Sequence, residues 1–137
     1  MHKTFLFGFL IFNSLVAKAD DSLLTSCLHA NDKGSVGMYE CYGKYSNFLL
    51  AQQKTTLSEI RKSLNNNGPS GTDYKAALSK LDSSQKDWEA YVNNDCQLRE
   101  NVFGEGNAAA LDSLDCLIEH YEIRNKHLKF LREQFFH

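Results

Sequence analysis

The chain has 137 residues, 42% hydrophobic and 12% aromatic, with one proline and four cysteines. That is enough apolar material for one domain with a modest core, and it argues against a disordered chain. With 15 bases against 17 acids the formal charge is −2, a poor basis for binding nucleic acid or an anionic membrane surface.

The first segment differs in kind from the rest. Behind His2 and Lys3 runs an apolar stretch from Phe5 to Phe12, and Ala17-Lys18-Ala19 closes the segment ahead of Asp20 and Asp21. A positive start, a short apolar centre and small residues three and one before the cut are the grammar of a signal peptide. Residues 1–19 therefore read as a signal peptide cleaved after Ala19. The run is too short for a comfortable membrane span, so the mature chain is expected in the periplasm or secreted, without membrane insertion. Cleavage removes Lys3 and Lys18 and no acid, leaving 13 bases, 17 acids and a formal charge of −4, which suits a basic partner better. A competing reading takes Leu24-Thr25-Ser26-Cys27 as a lipobox that would lipidate Cys27. Lys18, Asp20 and Asp21 set it apart from the apolar core, against the usual arrangement.

Residues 20–34 read as a polar lead-in ending at Asn31-Asp32-Lys33-Gly34, and residues 35–137 as the helical domain. A first helical stripe, with Ser35 as its expected N-cap, runs through Met38, Tyr42, Tyr45, Leu49, Leu57, Ile60 and Leu64, missing one turn near Gln53. It stops at Asn65-Asn66-Asn67-Gly68-Pro69, the clearest breaker in the chain. A second helix starts near Thr72 or Asp73 and carries Tyr74, Leu78, Leu81, Gln85, Trp88, Val92 and Cys96 before fading around Phe103. After the tight Gly104-Glu105-Gly106-Asn107 connection, a third carries Leu111, Leu114, Ile118, Tyr121, Leu128, Leu131 and Phe135. No segment alternates with period two. The expected fold is all-α, an elongated three-helix up-down-up bundle about 40 Å long.

An even number of cysteines in a short exported chain argues for two disulfides. Their spacings of 14, 55 and 20 residues contain no C-x-x-C, which argues against zinc or a thioredoxin-type motif. Cys96 and Cys116 each lie ten residues from Gly106, so both sit about 15 Å from a hairpin turn there. Their pairing is the natural one, leaving Cys27 to join Cys41. The swaps 27–96 with 41–116 and 27–116 with 41–96 stay open, because all four lie toward one end.

Few residues invite chemistry. Trp88, mid-stripe, reads as a core anchor. Gln85 on the same apolar stripe needs a hydrogen-bond partner, and Arg124 is at the height to supply one. Glu119, His120, Glu122 and His127 stand amid Lys126, Lys129 and Arg132 and read as a solvated face rather than a metal or acid–base site. With the cysteines oxidised there is no obvious nucleophile, and no cofactor is expected. Tyr39, Tyr42 and Tyr45 with Phe48 drift around the first helix, so Tyr39 and Tyr42 are candidates for a partner-binding patch, joined by the acid Glu105 in the turn.

Several of these landmarks resemble the LprI-like family, whose namesake is a bacterial lysozyme inhibitor. They are Met38-Tyr39-Glu40-Cys41, Gln85-Lys86-Asp87-Trp88-Glu89-Ala90-Tyr91 leading to Cys96, the Gly104–Asn107 turn, and Cys116-Leu117-Ile118 followed by Arg124 and Leu128. The chain departs from the family at Val92-Asn93, where an Arg-Asp pair is usual, and at Leu50-Ala51-Gln52-Gln53-Lys54, where Leu-Asn-x-x-Tyr is. The resemblance implies a non-catalytic exported protein that binds and inhibits a lysozyme or another peptidoglycan hydrolase. Alternatives are an immunity protein against a secreted cell-wall-degrading toxin, such as an amidase, and a structural or envelope-stress interaction protein.

Overall fold

The computed structural model describes residues 21–136. The expected signal peptide, residues 1–19, and the expected cut after Ala19 lie outside the described residues. Four helices follow in chain order: α1 (Asp21–Ala30), α2 (Gly34–Leu64), α3 (Tyr74–Phe103) and α4 (Asn107–Phe135). Among the described residues there is no strand, and no helix is long and apolar enough to cross a membrane.

The three long helices fall where their apolar stripes place them, and their limits have local causes. Asp73 caps α3, its carboxylate accepting from the Ala76 amide at 2.9 Å. Gly104 (φ 84°) ends α3 and Gly106 (φ 109°) opens α4. Both conformations are ones a side-chain-bearing residue rarely adopts. Ser35 is not the cap of α2, because the helix already begins at Gly34 with Lys33 before it and no side-chain cap.

The lead-in corrects the three-helix expectation, since residues 21–30 are helical. Ten residues are too few to show a clear period and too few for a stable isolated helix. What holds α1 is tertiary. Leu24 packs on Tyr45, Leu49 and Ile118, and Cys27 is bonded to Cys41. Asn31 forms the corner: its side chain accepts from the Lys33 amide at 3.1 Å and donates to the Gly37 carbonyl at 3.3 Å. A Cβ at Gly37 would collide with that amide group, so a larger residue there displaces the Asn31 side chain from the corner. The corner also turns the start of α2, burying Gly37 and Cys41 and leaving Met38 exposed rather than on the core stripe.

Helices α1 and α2 are antiparallel, as are α3 and α4, whereas α2 and α4 run parallel in contact along their length. One end of the bundle therefore carries the 31–33 and 104–106 turns, the first turns of α2 and α4, and both disulfides. The core has three parts: Leu57, Ile60, Leu64, Leu81 and Leu128 at the far end, Tyr45, Leu49 and Ile118 in the middle, and Val92 with the Cys96–Cys116 bridge.

Candidate functional site: the stapled end

The two bridges join Cys27 to Cys41 and Cys96 to Cys116, with Cα separations of 5.7 and 5.6 Å. The swapped pairings are not formed. Because the Cys27 sulfur is in a disulfide, it cannot also carry a lipid. All four cysteines are bonded, so none of them serves as a thiolate.

Between the first turns of α2 and α4 lies a cleft of about 490 Å³, lined by Ser35, Val36, Tyr39 and Glu40 on one side and Asn107, Ala110 and Leu111 on the other. Its walls come from two parallel helices that start side by side, and neither start is capped by a side chain. Tyr39 is 51% exposed at this cleft. Just before the neighbouring turn, Val102 and Phe103 are 77% and 61% exposed, an unusual outlay of apolar surface at a helix end. Glu105 stands at the apex of that turn, between two positive-φ glycines, and is exposed.

Of the three residues singled out for binding, the structure sets Tyr39 and Glu105 at this end and turns Tyr42 partly inward. Tyr42 is half-buried against the Tyr45–Leu49–Ile118 cluster. Sequence reading missed Val36 and Leu111, whose shared cleft exists only once α2 and α4 are placed in parallel. It also missed Val102 and Phe103, although two apolar residues directly before Gly104 were a legible signal.

The core anchors form one polar layer in the bundle. Arg124 donates through Nε and Nη2 to Gln85 Oε1 at 3.1 and 3.0 Å, and Gln85 Nε2 donates to Gln53 Oε1 at 3.0 Å and to Glu89 Oε1 at 2.9 Å. The Arg124 guanidinium lies 5.7 Å from the centre of the Trp88 ring. Burial pushes Arg124 below its ordinary value, with the Glu89 charge opposing. Gln53, which looked like a gap in the stripe, is the member contributed by α2.

The α3–α4 face near the bridge is charged. Arg99 donates to both Asp112 oxygens, at 3.1 and 2.8 Å, and to Glu119 at 2.8 Å. The hydrogen bonds it donates to Asp112, and then to Glu119, hold its guanidinium above the ordinary range despite the opposing effect of burial. Asp115 is pushed up by burial, with Glu119 adding and Arg99 opposing. His120 is not on a solvated face: it turns toward α3, with Nε2 2.9 Å from Asp95 and its ring edge-on to Tyr91. His127 is exposed.

Fold and site together define a small all-α domain, doubly stapled at the end where an apolar cleft and an exposed acid stand near one another. The chain belongs to the LprI family: the family profile described as Lysozyme inhibitor LprI matches residues 27–128. The match opens at the first bonded cysteine and closes at the buried Leu128, so it takes in both bridges and the Gln85–Arg124 contact. No curated protein and no solved structure matches the chain.

Proposed function

We propose that this chain is an exported, non-catalytic protein that binds and inhibits a lysozyme-like peptidoglycan hydrolase, acting in the periplasm or outside the cell after cleavage near Ala19. The observation that carries this reading is membership of the lysozyme-inhibitor family over residues 27–128, a span that holds both bridges. The stapled end supports it with means for occlusion. Val102 and Phe103 supply apolar contact area, the cleft beside Tyr39 accepts a protruding side chain, and Glu105 meets a basic group at the rim of a glycan cleft. The formal charge of −4 on the mature chain favours encounter with lysozymes, which are usually basic.

The purified mature chain, titrated into a turbidity assay of lysozyme on bacterial cell walls, is expected to slow lysis. Tyr39→Ala and Glu105→Lys are each expected to weaken inhibition about tenfold or more, the scale of an interface hot spot, with unfolding midpoints unchanged. No slowing at large molar excess, against lysozymes of several classes, overturns the proposal. Capture of an amidase-type toxin in place of a lysozyme would move the reading to an immunity protein.

A further inference from the structure

The net charge of the chain hides a division along the bundle. The Gln53–Gln85–Arg124 layer crosses all three long helices at one level. Beyond it, toward the 65–73 loop, residues 54–84 and 125–136 carry eight lysines and arginines against four acids, a formal +4. On the stapled side, residues 21–52 and 86–123 carry four against twelve, a formal −8. Internal uses account for part of the basic end. Arg61 pairs with Asp82 at 2.8 Å, Arg132 with Glu59 at 2.6 Å and Lys129 with Glu133 at 3.9 Å. Lys62 lies in the last turn of α2, where a cation complements the helix dipole. Lys54, Lys75, Lys80 and Lys126 have neither use: each is exposed, outside a last turn, and without an acid in ion-pair reach among the described residues. Lys75, the second residue of α3, even stands where the dipole disfavours a cation. Two exposed rings share this end. Phe130, one turn after Lys126, is 55% exposed, and Phe135 in the last turn of α4 is 62% exposed. The edge contact of Tyr74 with Phe136, 6.0 Å between centroids, sets the start of α3 against the end of α4.

We propose that this basic end seats the protein on an anionic phospholipid surface, with the acidic stapled end turned away from it. Lysines near a bilayer are drawn to its negative headgroups, and phenylalanine rings enter the interface beside them. A soluble polyanion would engage the lysines and leave the rings in water, so the two features together point to lipid. No described helix is long and apolar enough to cross a membrane, and the contact is peripheral. The −8 section does not undo the attraction. It begins at the polar layer, eleven residues and about 17 Å from the end of α2. At physiological salt charges are screened over about 8 Å, so that section stands two screening lengths from the surface. Seated this way, the stapled end projects from the membrane toward a hydrolase, a consequence that rests on the proposed function, whereas the lipid contact does not.

The test sediments the oxidised mature chain with vesicles of phosphatidylcholine and phosphatidylglycerol in equal parts, and with vesicles of phosphatidylcholine alone. Binding to the anionic vesicles is expected, falling as salt rises, with little binding to the neutral ones. Lys75→Glu with Lys80→Glu should weaken it about tenfold or more, whereas Glu100→Lys, at the stapled end, should leave it unchanged. Phe130→Ser with Phe135→Ser should also weaken it, and circular dichroism checks that each variant keeps its helices. No binding to anionic vesicles at low salt overturns the proposal, as does undiminished binding of the lysine variant. Full binding by the phenylalanine variant, with inorganic polyphosphate displacing the chain from vesicles, would assign the basic end to a soluble polyanion and overturn the lipid contact. Lysozyme inhibition is measured separately, so failure of either proposal leaves the other standing.

Discussion

Gln85 occupies a core position without being apolar, and its bonds to Arg124 and Gln53 are what make it tolerable there. Replacing it with leucine leaves a half-buried guanidinium and the Gln53 carbonyl without their partner. Gln85→Leu is therefore expected to destabilise the protein by about 2–3 kcal/mol in urea unfolding, even though leucine is the more hydrophobic residue. A change under about 0.5 kcal/mol would show that water replaces the lost bonds. Asp115 acts in the opposite sense. Its folded carboxyl lies above the ordinary value of 3.8, so the folded state holds its proton more tightly than the unfolded chain. That contribution is complete below the unfolded value and is lost as pH rises through the folded one. Asp115→Asn should raise the Tm at pH 7 relative to the parent, with the gap closing toward pH 3. A gap independent of pH would assign the effect to something other than this carboxyl.

At the scale of elements, the bridges do different work. The Cys96–Cys116 link closes a hairpin whose helices already pack along their length, and it restricts the unfolded chain. Its removal as a Cys96→Ala, Cys116→Ala pair should cost about 3 kcal/mol for a loop of this size. The Cys27–Cys41 link instead holds an element that has little else. Helix α1 contributes Leu24 to the core, and its short length gives it little stability alone. In Cys27→Ser, Cys41→Ser, residues 21–30 are expected to lose hydrogen-exchange protection while α2, α3 and α4 keep theirs. Protection that persists in α1 would mean Leu24 packing suffices.

For the molecule as a whole, charge and shape point the same way. The longest helix, 31 residues, makes a rod about 45 Å long, and its stapled end presents the cleft and Glu105 together. If a mildly acidic rod meets a basic enzyme, attraction between exposed charges should fall as salt rises. Inhibition by the mature chain is expected to weaken between 50 mM and 500 mM salt, mainly through slower association, as stopped-flow binding would record. Salt-independent association would assign recognition to apolar contact alone.

Hydrophobic period and turn residues were enough to determine three long helices and their limits near Leu64 and Phe103, and the motifs around Cys41, Trp88 and Cys116 carried the resemblance to the family. Each of these is written in local spacing: steps of three and four, an Asn-Gly-Pro breaker, a Gly-Glu-Gly turn. What tertiary structure alone decided are the features made by residues far apart in the chain. Helix α1 is too short to announce itself and exists through Cys41 and the Tyr45 cluster. His120, read among its charged neighbours, belongs to solvent, but the α3–α4 packing turns it onto Asp95 and a disulfide. Gln53 is a flaw in a stripe until Gln85 arrives from another helix, and the cleft beside Tyr39 exists only because α2 and α4 start side by side. Periodicity reports which face of a helix is apolar, and only packing decides what that face meets.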